Sequence, residues 1–541
     1  MTAAASDPPA DKAAGPKSTG LIRSSLIYSA FTLISRFAGF LRDLALSYTM
    51  GASTTFAADA FQTALAFPNM FRRIFGEGAF AAAFIPAYSR SLETDGEEVA
   101  DVLAADAMAV LAAAAIALTV VAELAMPWLM YVIAPGFAAH PEKFKLAILL
   151  TQITMPYLPC MAIYAHLSGV LNARNRFILS GAAPILLNVW TLVTVLPTHS
   201  PRQAAMWGAG GVIAAGVSQA ALLWWGVRKS GAKVDVRWPR LTPEIKKLIA
   251  LAVPGALAAS ATQISVFVSG ILVSQVNGAR SWLAVCDRLY QLPQGLVGVA
   301  IGVALLPKLS RAIHAGDETG ARSTMDDAIL FSMAFALPAA VALVSMPFFL
   351  VDAMFTRGEF TVGDAHQTAR ALFCYGWGVP AFVLAQLFNR AFFARQDTAT
   401  PMRMGFVSVG VNVAVGISLY YLIGVPGVAA ATTIAWWTNV AMMAITLARR
   451  SHYRPAPRAV ARLARIVVAN VALAALLLGA GHWRDAIQGA FGHFHVSKLG
   501  PKEFAIALVA LGAAAAYPLL LFGSGGLTIA EARAALGRRR R

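Results

Sequence analysis

Charged side chains interrupt the apolar stretches at the start of the chain: Arg36, Arg42, Asp43, Asp59, Arg72, Arg73 and Glu77. A charge near the centre of a bilayer costs about 2.5–3.5 kcal/mol on insertion scales, so even a few of these sum to roughly 10 kcal/mol. They must therefore face protein, water or a ligand rather than lipid. Arg36 and Asp43 are seven residues apart and share a helix face, whereas Arg42 leaves the helix about 100° from Asp43. Arg73 and Glu77, four apart, can pair directly. Arg72 has no such neighbour in its own helix, which makes it the better candidate for a ligand contact. Asp59 lies fourteen residues before Arg73 and would share its face in a straight helix; with Pro68 between them, a place near the outer mouth is the alternative. Farther along, Asp287 and Arg288 stand in "CDRLYQLPQG", and Arg288 is the only arginine in the apolar body of that region's first two spans.

Several guanidinium groups with fewer acids suit an anion, because guanidinium binds phosphate bidentately and does not titrate near neutral pH. A proton relay would need Asp, Glu or His, and a cation site would need acidic or carbonyl oxygens. No carboxylate occurs between Leu248 and Gln275 or between Met404 and Ala448, which speaks against a carboxylate-built sodium site there. Enzyme signatures are missing: there is no Walker A sequence, no HExxH and no GxSxG. His140, His166, His314, His366, His452, His482, His493 and His495 are scattered, and Cys160, Cys286 and Cys374 lie apart in apolar segments. Neither set has metal-ligand or disulfide spacing, and no cofactor or metal is expected.

These residues sit in a chain of 541 residues that is 58% hydrophobic and only 13% charged. Soluble proteins carry about 25% charged residues. Apolar stretches of membrane-spanning length recur along almost the whole sequence, and their spacing predicts about fourteen helices, near 24–49, 56–90, 99–133, 144–173, 177–198, 203–228, 244–276, 281–312, 322–352, 365–396, 402–424, 426–448, 459–481 and 503–523. Pro68 is expected to kink or break the overlong second span. The net charge of +17 sits mainly in alternate short loops, so it reads as a topology signal rather than a nucleic-acid footprint. One set of loops carries Arg174 and Arg176, the run Arg228 to Lys247, Lys308 and Arg311, Arg395 and Arg403, and the arginines of 449–465. The positive-inside rule makes that set cytoplasmic, which places both termini inside.

A repeat is visible within the apolar frame. "FIPAYSR" around Pro86 and Arg90 matches "LLPKLSR" around Pro307 and Arg311, and "NARNRF" at 172–177 matches "FARQDT" at 393–398, both at an offset of 221. Six spans separate the copies, so both insert the same way round, as a parallel repeat. The expected organisation is a disordered tail (1–22), an N-lobe of six spans (23–229), a basic linker (230–243), a C-lobe of six spans (244–450), two further helices (451–523) and a basic tail (524–541).

The stretch "SRFAGFLRDLALSYTMGASTTFAADAFQTALAFPNMFRRIFGEGAFAAAFIPAYSR" (35–90) resembles the opening of the MurJ (MviN) family of lipid II flippases. "CDRLYQLPQGLVGVAIGVALLPKLSR" (286–311), "LNARNRF" (171–177) and "LFNRAFFARQDTATP" (387–401) are similar to later parts of the same family, and the likeness runs from about residue 24 to 450. The resemblance implies an all-α polytopic member of the multidrug/oligosaccharidyl-lipid/polysaccharide exporter superfamily. Two six-helix lobes would surround a central cavity, and two extra C-terminal helices would form a groove for a polyprenyl tail. The implied substrate is lipid II, undecaprenyl-pyrophosphate carrying a disaccharide-pentapeptide, moved from the cytoplasmic to the periplasmic leaflet of the bacterial inner membrane. Arg36, Arg42, Arg72 and Arg288 then fall on the family's substrate-binding arginines, accompanied by Asp43, Asp59, Arg73, Glu77 and Asp287. One departure is Gln291, where some members carry Glu. Implied partners are lipid II and membrane lipids, with proteins of cell-wall synthesis or division as candidates and nucleic acid excluded. The alternatives are another exporter of the superfamily: a flippase for O-antigen or polysaccharide units, or a drug/cation antiporter.

Overall fold

A computed structural model describes residues 18–75, 79–492 and 500–528, with side chains described except at 18–30, 32, 71–75, 79, 81–82, 254–262 and 296–307. The first lobe contains α1 (Ser18–Met50), α2 (Ala57–Phe75), α3 (Ala79–Thr94), α4 (Glu97–Ile133), α5 (Pro141–Thr154), α6 (Tyr157–Ala173), α7 (Phe177–Ala182), α8 (Pro184–Val195) and α9 (Pro201–Lys229). The second contains α10 (Pro243–Val273), α11 (Ala279–His314), α12 (Glu318–Ser345), α13 (Pro347–Phe355), α14 (Val362–Gly376), α15 (Gly378–Phe393), α16 (Ala399–Ile423) and α17 (Val425–Arg449). After it come α18 (Pro457–His482), α19 (Arg484–Ala490) and α20 (Pro501–Gly523).

Local sequence sets many of the helix starts. Pro141, Pro184, Pro201, Pro243, Pro347 and Pro457 sit in first turns, where a missing N–H is no loss. Ser200, Thr242 and Asp317 cap α9, α10 and α12, and Thr361 forms a capping box with Asp364 at α14. Several expected spans are pairs of shorter helices: the 144–173 span breaks near Pro156, the 177–198 span at Ala183, the 322–352 span at Met346 and the 365–396 span at Trp377. Pro68 does not break its helix. α2 continues through it to Phe75, where the described stretch ends, and α3 is described from Ala79.

Ten helices or helix pairs among the described residues are long and apolar enough to cross a membrane. The other four expected positions are α1, α2 with α3, α10 and α11. The charged groups of α1 and α11, and residues whose side chains are not described, fall in these elements. The fourteen-span count therefore does not follow from length and apolarity alone.

The parallel repeat extends to backbone detail. α4 and α12 begin at Glu97 and Glu318, α5 and α14 at Pro141 and Val362, and α6 and α15 at Tyr157 and Gly378, each at the same 221-residue offset. Asn175 and Gln396, again 221 apart, both adopt the left-handed conformation, with φ of 59° and 60°. Each lobe has its own core. Phe61, Met126 and Leu150, with Phe84 and Leu167 nearer the basic loops, fill the first; Trp282, Phe355, Leu372 and Phe392 fill the second. α18 and α20 dock outside the second lobe, through Phe349 and Leu473 at one level and Leu330 and Ile466 at another. The Tyr517 hydroxyl donates to the Ala334 carbonyl at 2.6 Å, and Lys502 pairs with Asp352 at 2.9 Å.

Candidate functional site: the interlobe cavity and its two closures

The lobes meet along α10, which packs on α3 and α4, and along α1 and α11, which run antiparallel. On α1, Arg36, Gly39 and Asp43 follow at i, i+3 and i+7; on α11, Arg288, Gln291 and Gly295 repeat that spacing. Each set therefore lies on one helix face. Arg36 Nη1 donates to the Gln291 carbonyl at 3.2 Å, and Arg288 Nε donates to Asp43 Oδ2. Arg42 reaches the other oxygen of the same carboxylate, with Nε and Nη2 at 2.9 and 2.8 Å from Asp43 Oδ1. Arg42 thus departs from its expected direction: its Cα–Cβ bond diverges from that of Asp43, but the long side chain folds back. Arg288 finds its acid across the lobe boundary in Asp43.

Glycines make room for this seam. A Cβ on Gly295 would lie 2.2 Å from Arg36 Nη1, and one on Gly39 would lie 3.2 Å from Arg288 Nη1. The side chains of Arg42, Asp43 and Arg288 stay 14–21% exposed, so the seam is wet enough to exchange partners.

Beside the seam lies a cavity of about 650 Å³ walled by both lobes. Arg42, Gln62 and Asn69 contribute polar groups from the first lobe, among apolar neighbours such as Leu65, Phe67 and Val212. The second lobe is richer in polar groups, with Gln263, Arg280, Asp287, Gln291, Asn412 and Asn439. Ser265 donates to Asn412 Oδ1 at 2.6 Å, and Asn412 donates to Thr432 Oγ1 at 3.2 Å. Arg280, at the edge of its span, carries no sign of burial in the sequence. It is buried where Arg288 is partly exposed, and is fixed by the carbonyls of Ile133 and Gly270 at 2.8 and 2.9 Å.

At the end of the bundle away from the basic loops, the lobes are closed by a second and different set of contacts. Asp59 is fully buried there, in the seal and not on the cavity wall; Arg36, Asp43 and Arg288, in the seam, are not on that wall either. It accepts from Lys143 Nζ at 2.7 Å, from Gly278 N at 2.8 Å, and from the Ser281 backbone and hydroxyl, both at 3.1 Å. Lys143 also donates to Asn277 Oδ1 at 2.9 Å and lies 4.1 Å over the Phe137 ring. On the other side of the boundary Asp364 accepts from the Ser53 backbone at 3.1 Å, its hydroxyl at 2.5 Å and the Trp282 indole at 2.9 Å. Backbones touch as well: a Cβ on Gly136 would lie 2.4 Å from the Gln275 Cα, and one on Gly358 would lie 2.3 Å from the Tyr48 carbonyl oxygen.

This seal uses equivalent positions of the repeat with opposite charge. Asp59 corresponds to Arg280, and Lys143 to Asp364, each at the 221 offset. That offset, applied to every charged residue, was the available signal for Lys143, Arg280 and Asp364. Arg72 and Arg73 lie on the α2 backbone with side chains outside the described residues, and Glu77 lies outside them altogether.

The model of one protein family, lipid II flippase MurJ, matches residues 46–492. The chain belongs to the MurJ family. A relative described as probable lipid II flippase MurJ, from Rhizobium meliloti (strain 1021), is 36% identical over 524 residues, covering 96% of each chain. Lipid II flippase MurJ of Burkholderia cenocepacia is 32% identical over 475 residues, covering 86% of this chain and 90% of the relative. Among solved structures, a MurJ in an inward closed conformation superimposes with a TM-score of 0.73 at 23% identity, covering 92% of this chain and 98% of that one. An inward-facing multidrug MATE transporter of the MOP superfamily gives a TM-score of 0.60 at 14% identity, over 79% of this chain and 98% of the other, so the wider fold is shared beyond the MurJ family.

Proposed function

We propose that this MurJ-family protein moves lipid II across the bacterial inner membrane, from the cytoplasmic to the periplasmic leaflet, by alternating access of its two lobes. The observation that carries the reading is the meeting of guanidinium groups from both lobes on the single carboxylate of Asp43, beside a cavity shared by the lobes. A pyrophosphate offers those groups anionic oxygens that a guanidinium can hold in pairs, as it can those of a carboxylate. Arg36, Arg42, Arg72 and Arg288 are the residues assigned to it, with Asp43 as the group it displaces and Asp287 on the cavity wall.

Orientation follows from the loops. The basic end is cytoplasmic, both termini lie on that side, and the seal of Asp59 and Asp364 closes the periplasmic side. A cavity of about 650 Å³ is of the size that takes a drug-like ligand, so a disaccharide-peptide head group needs the lobes to part further. The prenyl tail stays in lipid, along the groove beside α18 and α20. An interior-negative potential favours outward movement of the anionic head group. Proteins of cell-wall synthesis or division are the natural suppliers and receivers of this substrate.

Complementation of a bacterium depleted of its own flippase tests the reading. The wild-type chain is expected to restore growth, and Arg36→Ala, Arg72→Ala and Arg288→Ala at equal expression to fail. Absence of rescue by the wild type, or full rescue by all three variants, would overturn it.

A further inference from the structure

The connection between the lobes has a surface that neither the cavity nor the seal employs. It leaves α9 at Lys229 and enters α10 at Pro243, and it is held at both ends. Ala232 and Val234 are buried in the first lobe's core, and the Lys233 backbone N–H donates to Asp101 Oδ2 at 2.6 Å. Ile245 and Leu248 of the first turns of α10 are buried in the same core. Between these anchors residues 235–241 are all exposed, in the sequence Asp-Val-Arg-Trp-Pro-Arg-Leu. Val236 is 79% exposed, Trp238 86% and Leu241 60%. A tethered segment that presents a tryptophan to this extent, with arginines on either side, is built for a surface that takes both apolar and cationic groups.

The flanking residues indicate which surface. Arg228 and Lys229 lie over the rings of Trp224 and Trp225, at 5.5 and 4.8 Å, at the end of a membrane-length helix. Tryptophan with Lys or Arg at a span end is the composition of the headgroup level of a bilayer. From Arg228 to Lys247 the chain carries Arg228, Lys229, Lys233, Arg237, Arg240, Lys246 and Lys247 against Asp235 and Glu244. That excess complements an anionic leaflet, where each basic residue near the surface adds about 1 kcal/mol.

We propose that residues 235–242 form a fixed strap that docks on anionic phospholipid headgroups, with Trp238 and Val236 entering the interfacial layer and Arg237 and Arg240 holding lipid phosphates. The first lobe sets the strap's position and α10 of the second lobe continues from it, so lipid docking fixes the height of the lobe junction relative to the membrane plane. The full-length protein carrying Val236→Cys, labelled with an environment-sensitive fluorophore, tests this in nanodiscs of phosphatidylcholine with and without phosphatidylglycerol. The wild-type chain, with Cys160, Cys286 and Cys374, supplies the labelling background. The expected result is a blue shift and quenching by brominated lipid in the anionic discs. In an added Arg237→Gln/Arg240→Gln variant the preference for anionic lipid should fall about thirty-fold. A thermal unfolding midpoint shared by the two labelled chains confirms that both are folded. A probe that reads as water-exposed in both compositions, or a shift unchanged by the two substitutions, would overturn the proposal. So would protection seen in native membranes but not in discs, which would assign the strap to a protein partner.

Discussion

Two of the places where the lobes meet are built on opposite principles. At the seal, charges are buried and saturated: Asp59 has four protein donors and Lys143 has two acceptors and an aromatic face. Along the α1–α11 seam, three guanidinium groups rest on one shared carboxylate and one backbone carbonyl, with side chains still partly wet. Opening the seal hydrates a carboxylate and an ammonium that are fully desolvated, whereas opening the seam transfers donors from one set of oxygens to another. A ligand with phosphate oxygens can do the second and has nothing to offer the first. The difference gives the closed conformer a direction: a ligand can part the seam while the seal stays shut.

The largest effect is expected at the seal. Lys143→Ala or Asp59→Ala leaves one buried charge uncompensated, which costs about 3–5 kcal/mol. Thermal unfolding in detergent should show a clear loss for each single variant and a smaller one for the double variant, which removes both charges. A double variant as unstable as the sum of the singles would show that the pair is not what holds this end.

The seam should respond in function more than in stability. Arg288→Ala removes one charge-assisted hydrogen bond, a loss of about 1.5–3 kcal/mol, and leaves Asp43 with Arg42. Transport should fall to background while the unfolding midpoint moves less than in Lys143→Ala. Arg288→Lys should not restore transport, because an ammonium lacks the planar fork with which a guanidinium meets two oxygens of one phosphate in parallel. Equal damage to stability at both sites would erase the contrast between them.

The glycines give the finest test. Gly295→Ala places a methyl 2.2 Å from Arg36 Nη1 and must evict that guanidinium, whereas Gly39→Ala makes only a 3.2 Å contact that Arg288 can accommodate. Transport by Gly295→Ala should therefore fall well below that of Gly39→Ala. The reverse order would mean that Arg36 does not lie across α11 in the working protein.

Much of this arrangement was legible in the residues. The seven-residue spacing of Arg36 and Asp43 put them on one face, and two short motifs at one offset exposed the repeat. Side-chain reach was not legible: the turn of Arg42 back to Asp43 and the crossing of Arg288 to the other lobe depend on length and rotamer, not on position along a helix. Lys143 was hidden because a lysine three residues into a helix reads as a solvated end. Only tertiary packing under Phe137 makes it a buried partner. Of the kink or break expected at Pro68, the break is absent from α2, since a proline's local cost does not decide whether the surrounding packing holds the helix together.

The attachment of α18 and α20 to α12 and α13 has a practical consequence for observing the protein at work. Helices docked on one lobe travel with it as an outrigger, carrying no residue of the cavity wall, the seam or the seal. A spectroscopic reporter at the exposed Leu511 or Leu519, read against one on the first lobe, would register the swing of the whole assembly without touching the seam or the seal.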